Sequence, residues 1–290
     1  MKVEKTLSVW LTAPIASAYS LMFSPDGQSL VSGGTFRTII VWDFEQVLQK
    51  FLLRGHSDWI YAVAISPDNQ VIVSGSLDKT IKIWHLNTGK EILTLKGHSD
   101  TVCTIAISHD NKTIISGSKD CTIKMWDLLS GQEIGNNIYP DWIYAVAVSP
   151  DNQTIVGGCA NGIIYLNKTD ELLGHSGCVT TVAISPDGQK IVSGSIDGTI
   201  KVWDLNTTQE LRTLKGHLGG VNCLTISPDG KKIISGGNDK IIKIWDLNTG
   251  KNLRNFSGHL EAILAIAISP DGKFIASGSR NEYIKIWIGH

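Results

Sequence analysis

The sequence predicts an all-β fold in which seven four-stranded sheets pack radially into a ring. Three observations carry this. A Ser-Pro-Asp-Gly-like tetrapeptide begins at Ser24, Ser66, Ser108, Ser149, Ser185, Ser227 and Ser269, at spacings of 42, 42, 41, 36, 42 and 42 residues. Seven periods of that length account for all 290 residues, with no low-complexity linker, so residues 1–290 are read as one domain. Within each period apolar and polar residues alternate, β-branched side chains are frequent, and no stretch has helical periodicity.

The elements of one period follow in order. In the fifth, CVTTVAIS alternates as strand a, SPDG turns, and QKIVSGS runs on as strand b. IDG turns again, TIKVW alternates as strand c, DLNTT loops, and QELRTLKGH closes as strand d. A single four-stranded sheet buries too little to stand alone. Packed face to face around a ring, seven of them bury both faces of each.

Composition narrows the function. The formal net charge is −1, so nothing supplies the basic field that nucleic-acid backbones demand. No apolar run approaches the roughly 18 residues of a membrane helix, and MKVEKTLSVWLTAPIAS is a poor secretory signal. Cys103, Cys121, Cys159, Cys178 and Cys223 are odd in number and lack C-x-x-C spacing. That favours buried thiols in a reducing, cytoplasmic setting over a disulfide framework. Signatures of phosphate loops, zinc hydrolases and serine elbows are absent, and no metal or cofactor is expected.

Trp42-Asp43, Trp126-Asp127, Trp203-Asp204 and Trp245-Asp246 end strand c, and Gly55-His56, Gly97-His98, Gly174-His175, Gly216-His217 and Gly258-His259 precede strand a. Recurring in register along the whole chain, these pairs make it resemble the WD40-repeat family. The resemblance implies a seven-bladed β-propeller. The last repeat stops at Trp287-Ile288-Gly289-His290, after strand c. Residues 6–11, TLSVWL, align with strand d segments, so the N-terminal strand is expected to complete the last blade and leave no open edge. A trailing Gly-His beginning a further repeat is the open alternative.

Every well-formed repeat holds a Ser, a His, an Asp and a Trp. The sets are His56, Ser74, Asp78 and Trp84; His98, Ser116, Asp120 and Trp126; His175, Ser193, Asp197 and Trp203; and His217, Ser235, Asp239 and Trp245. Ser, His and Asp are the ingredients of acyl transfer, yet four equivalent active sites in one ring make poor sense. The resemblance implies instead a hydrogen-bonded tie inside each blade, which pairs polar groups that packing would otherwise orphan. Repeat one has Pro14 for His and Phe36 for Asp, and repeat seven has Asn281 for Asp. Repeat four departs everywhere, with Tyr139, Gly157, Asn161 and Asn167 in the His, Ser, Asp and Trp positions and a c–d region six residues shorter. Its blade is expected to be the least tied, with the shortest outer strand.

In this fold the d–a loops and b–c turns share one end of the ring, the top. Three residues after the His position stand Ser17, Trp59, Thr101, Trp142, Cys178, Gly220 and Ala262, and five after it Tyr19, Tyr61, Cys103, Tyr144, Thr180, Asn222 and Leu264. The second-after position adds Asp58, Asp100, Asp141 and Glu261. Six of nine tryptophans belong to strand c, whereas Trp59 and Trp142 occupy a loop position that is small elsewhere. Aromatic residues with acidic neighbours suit a hot spot for a protein or peptide. The alternative is that repeats two and four share a recent duplication and these rings pack on loops. Lysines 90, 112, 190, 231, 232, 251 and 273 line the opposite end, as solvated turn residues or a basic rim.

The sequence therefore points to a non-catalytic scaffold, a monomeric ring alone or within a larger complex. It is expected to dock a protein or peptide on the top face through Tyr19, Trp59, Tyr61, Trp142, Tyr144 and the four acids. The rival readings are a propeller enzyme or small-ligand binder using the central channel, and a purely structural ring in a larger assembly. The near-identical repeats also resemble prokaryotic WD-repeat proteins, in which such rings often accompany signalling enzymes.

Overall fold

The computed structural model describes residues 9–11, 17–167, 169–280 and 283–288. Among these residues every regular element is a strand, and the strands form seven four-stranded antiparallel sheets. We number the blades in chain order and letter their strands a to d from the channel outward. In blade two the strands are Ile60–Ile65, Val71–Ser76, Thr80–His85 and Glu91–Lys96.

The a–b turn shows why the tetrapeptide recurs. Ser66 Oγ donates to Asp68 Oδ1 (2.6 Å) and accepts from the Val71 amide (3.0 Å), and Asp68 Oδ1 accepts from the Gln70 amide (3.1 Å). Asn69 sits at φ 60°, where Asn and Gly are tolerated best. The turn satisfies its own backbone and needs nothing from the rest of the blade.

Strand b lies deepest. In Val71–Ser76 every residue after the first is buried, whereas strand d, Glu91–Lys96, is largely exposed. The Gly of the recurrent Ser-Gly lets the next blade approach, since a Cβ on Gly75 would lie 2.6 Å from Val102 Cγ1 of blade three. The core accordingly sits in the seams between blades. One cluster joins Val31, Val41 and Leu53 of blade one to Ile60, Ile72, Trp84 and Leu86 of blade two.

The ring closes as expected. Val9–Leu11 pairs antiparallel with Ile284–Ile288, Val9 opposite Ile286 and Leu11 opposite Ile284, and completes the sheet begun by Ile263–Ile268 and Phe274–Ser279. Residues 6–8, the side chain of Trp10, Pro14, Asn281 and the trailing Gly289-His290 lie outside the described residues.

Blade four is cut short, also as expected. Gly157 pairs with Tyr165 where Ser74 pairs with Lys82 in blade two, which puts Asn167 at the Trp position. Asn167 adopts φ 46°, its Oδ1 accepts from the Ile155 amide (2.7 Å), and its Nδ2 donates to the Gln153 carbonyl (3.1 Å). It thus ends strand c after Ile164–Leu166, and strand d is reduced to Asp170–Leu172.

Candidate functional site

The Ser-His-Asp-Trp sets come together within their blades. In blade two the Trp84 indole N–H donates to Ser74 Oγ (2.9 Å), the Ser74 hydroxyl faces His56 Nε2 (2.8 Å), and His56 Nδ1 faces Asp78 Oδ2 (2.8 Å). Asp78 also accepts from the Ser57 amide (2.9 Å) and the Thr80 hydroxyl (2.6 Å). With a neutral imidazole one assignment satisfies all four side chains: Nδ1–H donates to the carboxylate, and Ser Oγ–H donates to Nε2. Blades three, five and six repeat it, with His–Ser distances of 2.7, 2.8 and 2.8 Å.

Burial alone would raise the Asp78 and Asp120 carboxyls. Hydrogen bonds from His56 and Thr80, and from His98 and Thr122, overcome it and hold both well below the usual carboxylate range. The same balance takes Asp197 to about 2. His175 and His217 are pushed down by burial against the opposing pull of Asp197 and Asp239. In blade five the tie therefore favours a carboxylate beside a neutral imidazole. The tie serines are fully buried with the oxygen already accepting from an indole, so no acyl group can reach it.

A second layer was not anticipated from the sequence. Lys82, Lys124 and Lys201, two residues before the strand c Trp, are buried and reach Glu91 (2.7 Å), Glu133 (2.8 Å) and Glu210 (2.7 Å) on strand d. The recurrent Lys-x-Trp followed by Glu at the start of strand d was the available signal. Blade four lacks this layer too, with Tyr165 in the Lys position packed on Tyr139 (centroids 5.0 Å apart).

Around the central channel, the fifth-after residues Tyr19, Tyr61, Cys103, Tyr144, Thr180, Asn222 and Leu264 all face one cavity. Tyr19 stacks on Tyr61 (5.0 Å) and on Trp59 (6.0 Å), and Trp142 meets Tyr144 edge-on (6.2 Å). Trp59 and Trp142 remain 38% and 43% exposed, so neither ring is consumed by packing. Lys119, on the b–c turn of blade three, places its Nζ 5.0 Å from the Trp142 ring centroid and 6.0 Å from that of Tyr144.

The acidic residues do not converge. Asp58, Asp100 and Asp141 each accept from the amide of the residue that follows, Trp59, Thr101 or Trp142, at 2.6–2.8 Å. Glu261 lies 4.0 Å from Lys240. Among the described residues no group of three or more His, Cys, Asp or Glu is placed to hold a metal. Burial pushes the Cys103 thiol up to about 12 and Cys178 to about 11, which keeps both protonated at neutral pH. Of the two histidines outside the ties among the described residues, His85 Nδ1 accepts from the Asn87 amide (3.2 Å) and His109 is exposed. Two exposed top-rim side chains were also missed. Leu218 (88%) and Leu260 (74%) follow the tie histidines of blades six and seven, where Ser57, Ser99 and Ser176 stand in blades two, three and five.

Comparison with known families adds to the geometry. A family model described as the IFT122 first β-propeller matches residues 17–176, over half of the chain. A second, described as WD domain, G-beta repeat, matches residues 167–204, 208–246 and 250–287. No curated protein matches the chain significantly. No helix among the described residues is long and apolar enough to cross a membrane.

Proposed function

Because the chain belongs to the WD40-repeat β-propellers, matching the IFT122 first-propeller model over more than half its length, we propose that it is a non-catalytic scaffold that docks a protein or peptide segment on its top face. One observation carries this: two aromatic clusters, Tyr19–Trp59–Tyr61 and Trp142–Tyr144, stand half-exposed at one mouth of the channel. Large, stiff rings exposed at a concave mouth yield contact area at little entropic cost. The remaining blades offer Thr101, Cys178, Gly220 and Ala262 at the tryptophan position, so the aromatic sector is confined to one side.

The preferred segment carries a cation beside an aromatic or aliphatic side chain. Asp58 and Asp141 adjoin the two exposed tryptophans, and the open Tyr19–Trp59–Tyr61 stack presents ring faces. At the second cluster Lys119 already occupies the ring face, so a partner's cation is directed to the first. The ring works without cofactor, nucleic acid or membrane, in a reducing, cytoplasmic setting. The channel-enzyme alternative would need an acid–base pair converging on the channel, whereas Asp58, Asp100 and Asp141 each hold the backbone amide that follows them.

The test is affinity capture with the wild type and with Trp59→Ala/Trp142→Ala, the fold of each checked by circular dichroism. Partners held by the wild type and lost by the folded double variant are the expected result. A folded variant that keeps every partner would refute top-face docking.

A further inference from the structure

The two exposed tryptophans differ in what leans on them. In all seven blades the residue directly after strand b donates its amide to the carbonyl of the third residue after the His position, as Leu77 does to Trp59 (2.9 Å) and Lys119 to Thr101 (3.0 Å). That bond fixes the b–c turn at the mouth, where it leans over the next blade: a Cβ on Gly220 would lie 3.1 Å from Ile196 Cα. By this register Thr35 precedes Trp59 and Lys119 precedes Trp142. Threonine brings no charge to its tryptophan, whereas Lys119 brings an ammonium, 5.0 Å from the Trp142 ring centroid. Leu77, Ala160, Ile196 and Asn238 hold the position of Lys119 in other blades, and Arg280 holds it in blade seven, so the turn itself requires no cation.

The Lys119 ammonium has no counter-ion among the described residues. The residue is half-buried, and its Nζ rests over the rings of Trp142 and Tyr144. Asp100 and Asp141, the acids of the two flanking loops, turn an oxygen instead to the amides of Thr101 (2.6 Å) and Trp142 (2.8 Å). The b–c turn of blade six shows the contrast. There Lys240 donates to the Leu260 carbonyl (2.6 Å) and lies 4.0 Å from Glu261. A cation held over aromatic faces gives up part of its hydration. Lys119 is thus a pre-positioned positive charge, neutralised by nothing in its own ring, at the mouth where a partner would arrive.

Resting on top-face docking, we propose that Lys119 binds a carboxylate, so that the segment recognised is bipolar. Its Lys or Arg lies on the open Tyr19–Trp59–Tyr61 stack beside Asp58, and its Asp or Glu side chain meets Lys119 above Trp142. Charge complementarity sets this polarity. A segment with two cations would press one against Lys119, and a segment with two acids would press one against Asp58. Trp142 and Tyr144 act here as the platform that positions Lys119. Because the rings already hold the ammonium in place, little side-chain freedom remains to be lost on binding. Lys119 is therefore the residue that sets specificity at the second cluster.

Phage-displayed random peptides panned on the folded ring are the test. Winners are resynthesised with amidated C-termini, so that any carboxylate belongs to a side chain, and their affinities are measured by calorimetry. The rings compared are the wild type, Trp59→Ala, Trp142→Ala, Lys119→Glu and Lys119→Leu, each checked by circular dichroism. Lys119→Leu copies Leu77 of blade two and so preserves the turn. The wild type is expected to select peptides with a basic and an acidic residue at constant separation. Replacing the peptide's acid by its amide should weaken binding to the wild type by about tenfold and leave binding to the Lys119→Leu ring unchanged. Panning on the Lys119→Glu ring should exchange the acid for a base. Winners that need Trp59 but carry no acid, or whose acid matters equally without Lys119, would overturn this inference and leave top-face docking standing. Winners indifferent to both tryptophans, or no winners at all, would remove top-face docking and the inference with it.

Discussion

Replacing Ser74 by alanine isolates what a tie is worth. The hydroxyl is fully buried, accepts from the Trp84 indole and donates to His56 Nε2. Its loss leaves two buried polar groups unpaired, each costing about 1–3 kcal/mol. Part of that is recovered because alanine needs no desolvation, so the net expectation is a loss of about 2–4 kcal/mol. Ser32 of blade one is the internal control. It accepts from Trp42 (3.2 Å), but repeat one has Pro14 in the His position, so Ser32→Ala orphans one group and not two. The two variants should differ by at least about 1 kcal/mol in urea unfolding followed by tryptophan fluorescence. Equal losses would refute the view that the serine's value lies in bridging indole and imidazole.

The remaining predictions concern acid, strain and local opening. Stability should fall on acidification in two stages. His175 and His217 are held neutral when folded, so proton uptake by the unfolded chain below about pH 6.5 already favours unfolding. Asp78, Asp120 and Asp197 titrate below their ordinary range when folded, so their contribution is complete above about pH 4 and is lost as pH falls through the folded values. A melting temperature unchanged from neutral pH to about pH 4 would contradict the first stage. Val47 holds φ 56° at the c–d turn position occupied by Gly89, Gly131 and Gly250. Val47→Gly should therefore stabilise by up to about 1 kcal/mol, measured as a raised urea midpoint. Amides of blade four should exchange faster than those of blades two, three, five and six, and uniform protection around the ring would count against that.

The architecture was legible because each level of the sequence repeats it. The Ser-Pro-Asp-Gly turns, the Ser-Gly of strand b and the Trp of strand c recur at a spacing that leaves one arrangement. Even the irregular fourth repeat keeps register, and Asn167 falls where the pairing requires. Side chains joining different blades were harder to read. Lys119 over Trp142 depends on how far one blade's b–c turn leans across the next blade's loop, and no period encodes that lean. Asp58, Asp100 and Asp141 stand out by position, but not the fact that each holds its own backbone, because an acid facing solvent and one facing an amide look alike in sequence. The Lys–Glu layer was encoded in register yet hidden, because lysine on a strand suggests solvent until its neighbours are known.

Closure through Val9–Leu11 has a consequence in time. The strand that completes the last blade is made before every other strand of the ring, and its partner, Ile284–Ile288, after them. Blades one to six can each form soon after they are made, from contacts close in sequence. The seventh joins the two ends of the ring, so Val9–Leu11 has to wait for a partner made long after it. Until then that strand lacks its pairing, and the nascent ring is an open arc. The step most exposed to mispairing, and most dependent on chaperone protection, is thus the final one, when nearly the whole chain must already be in place.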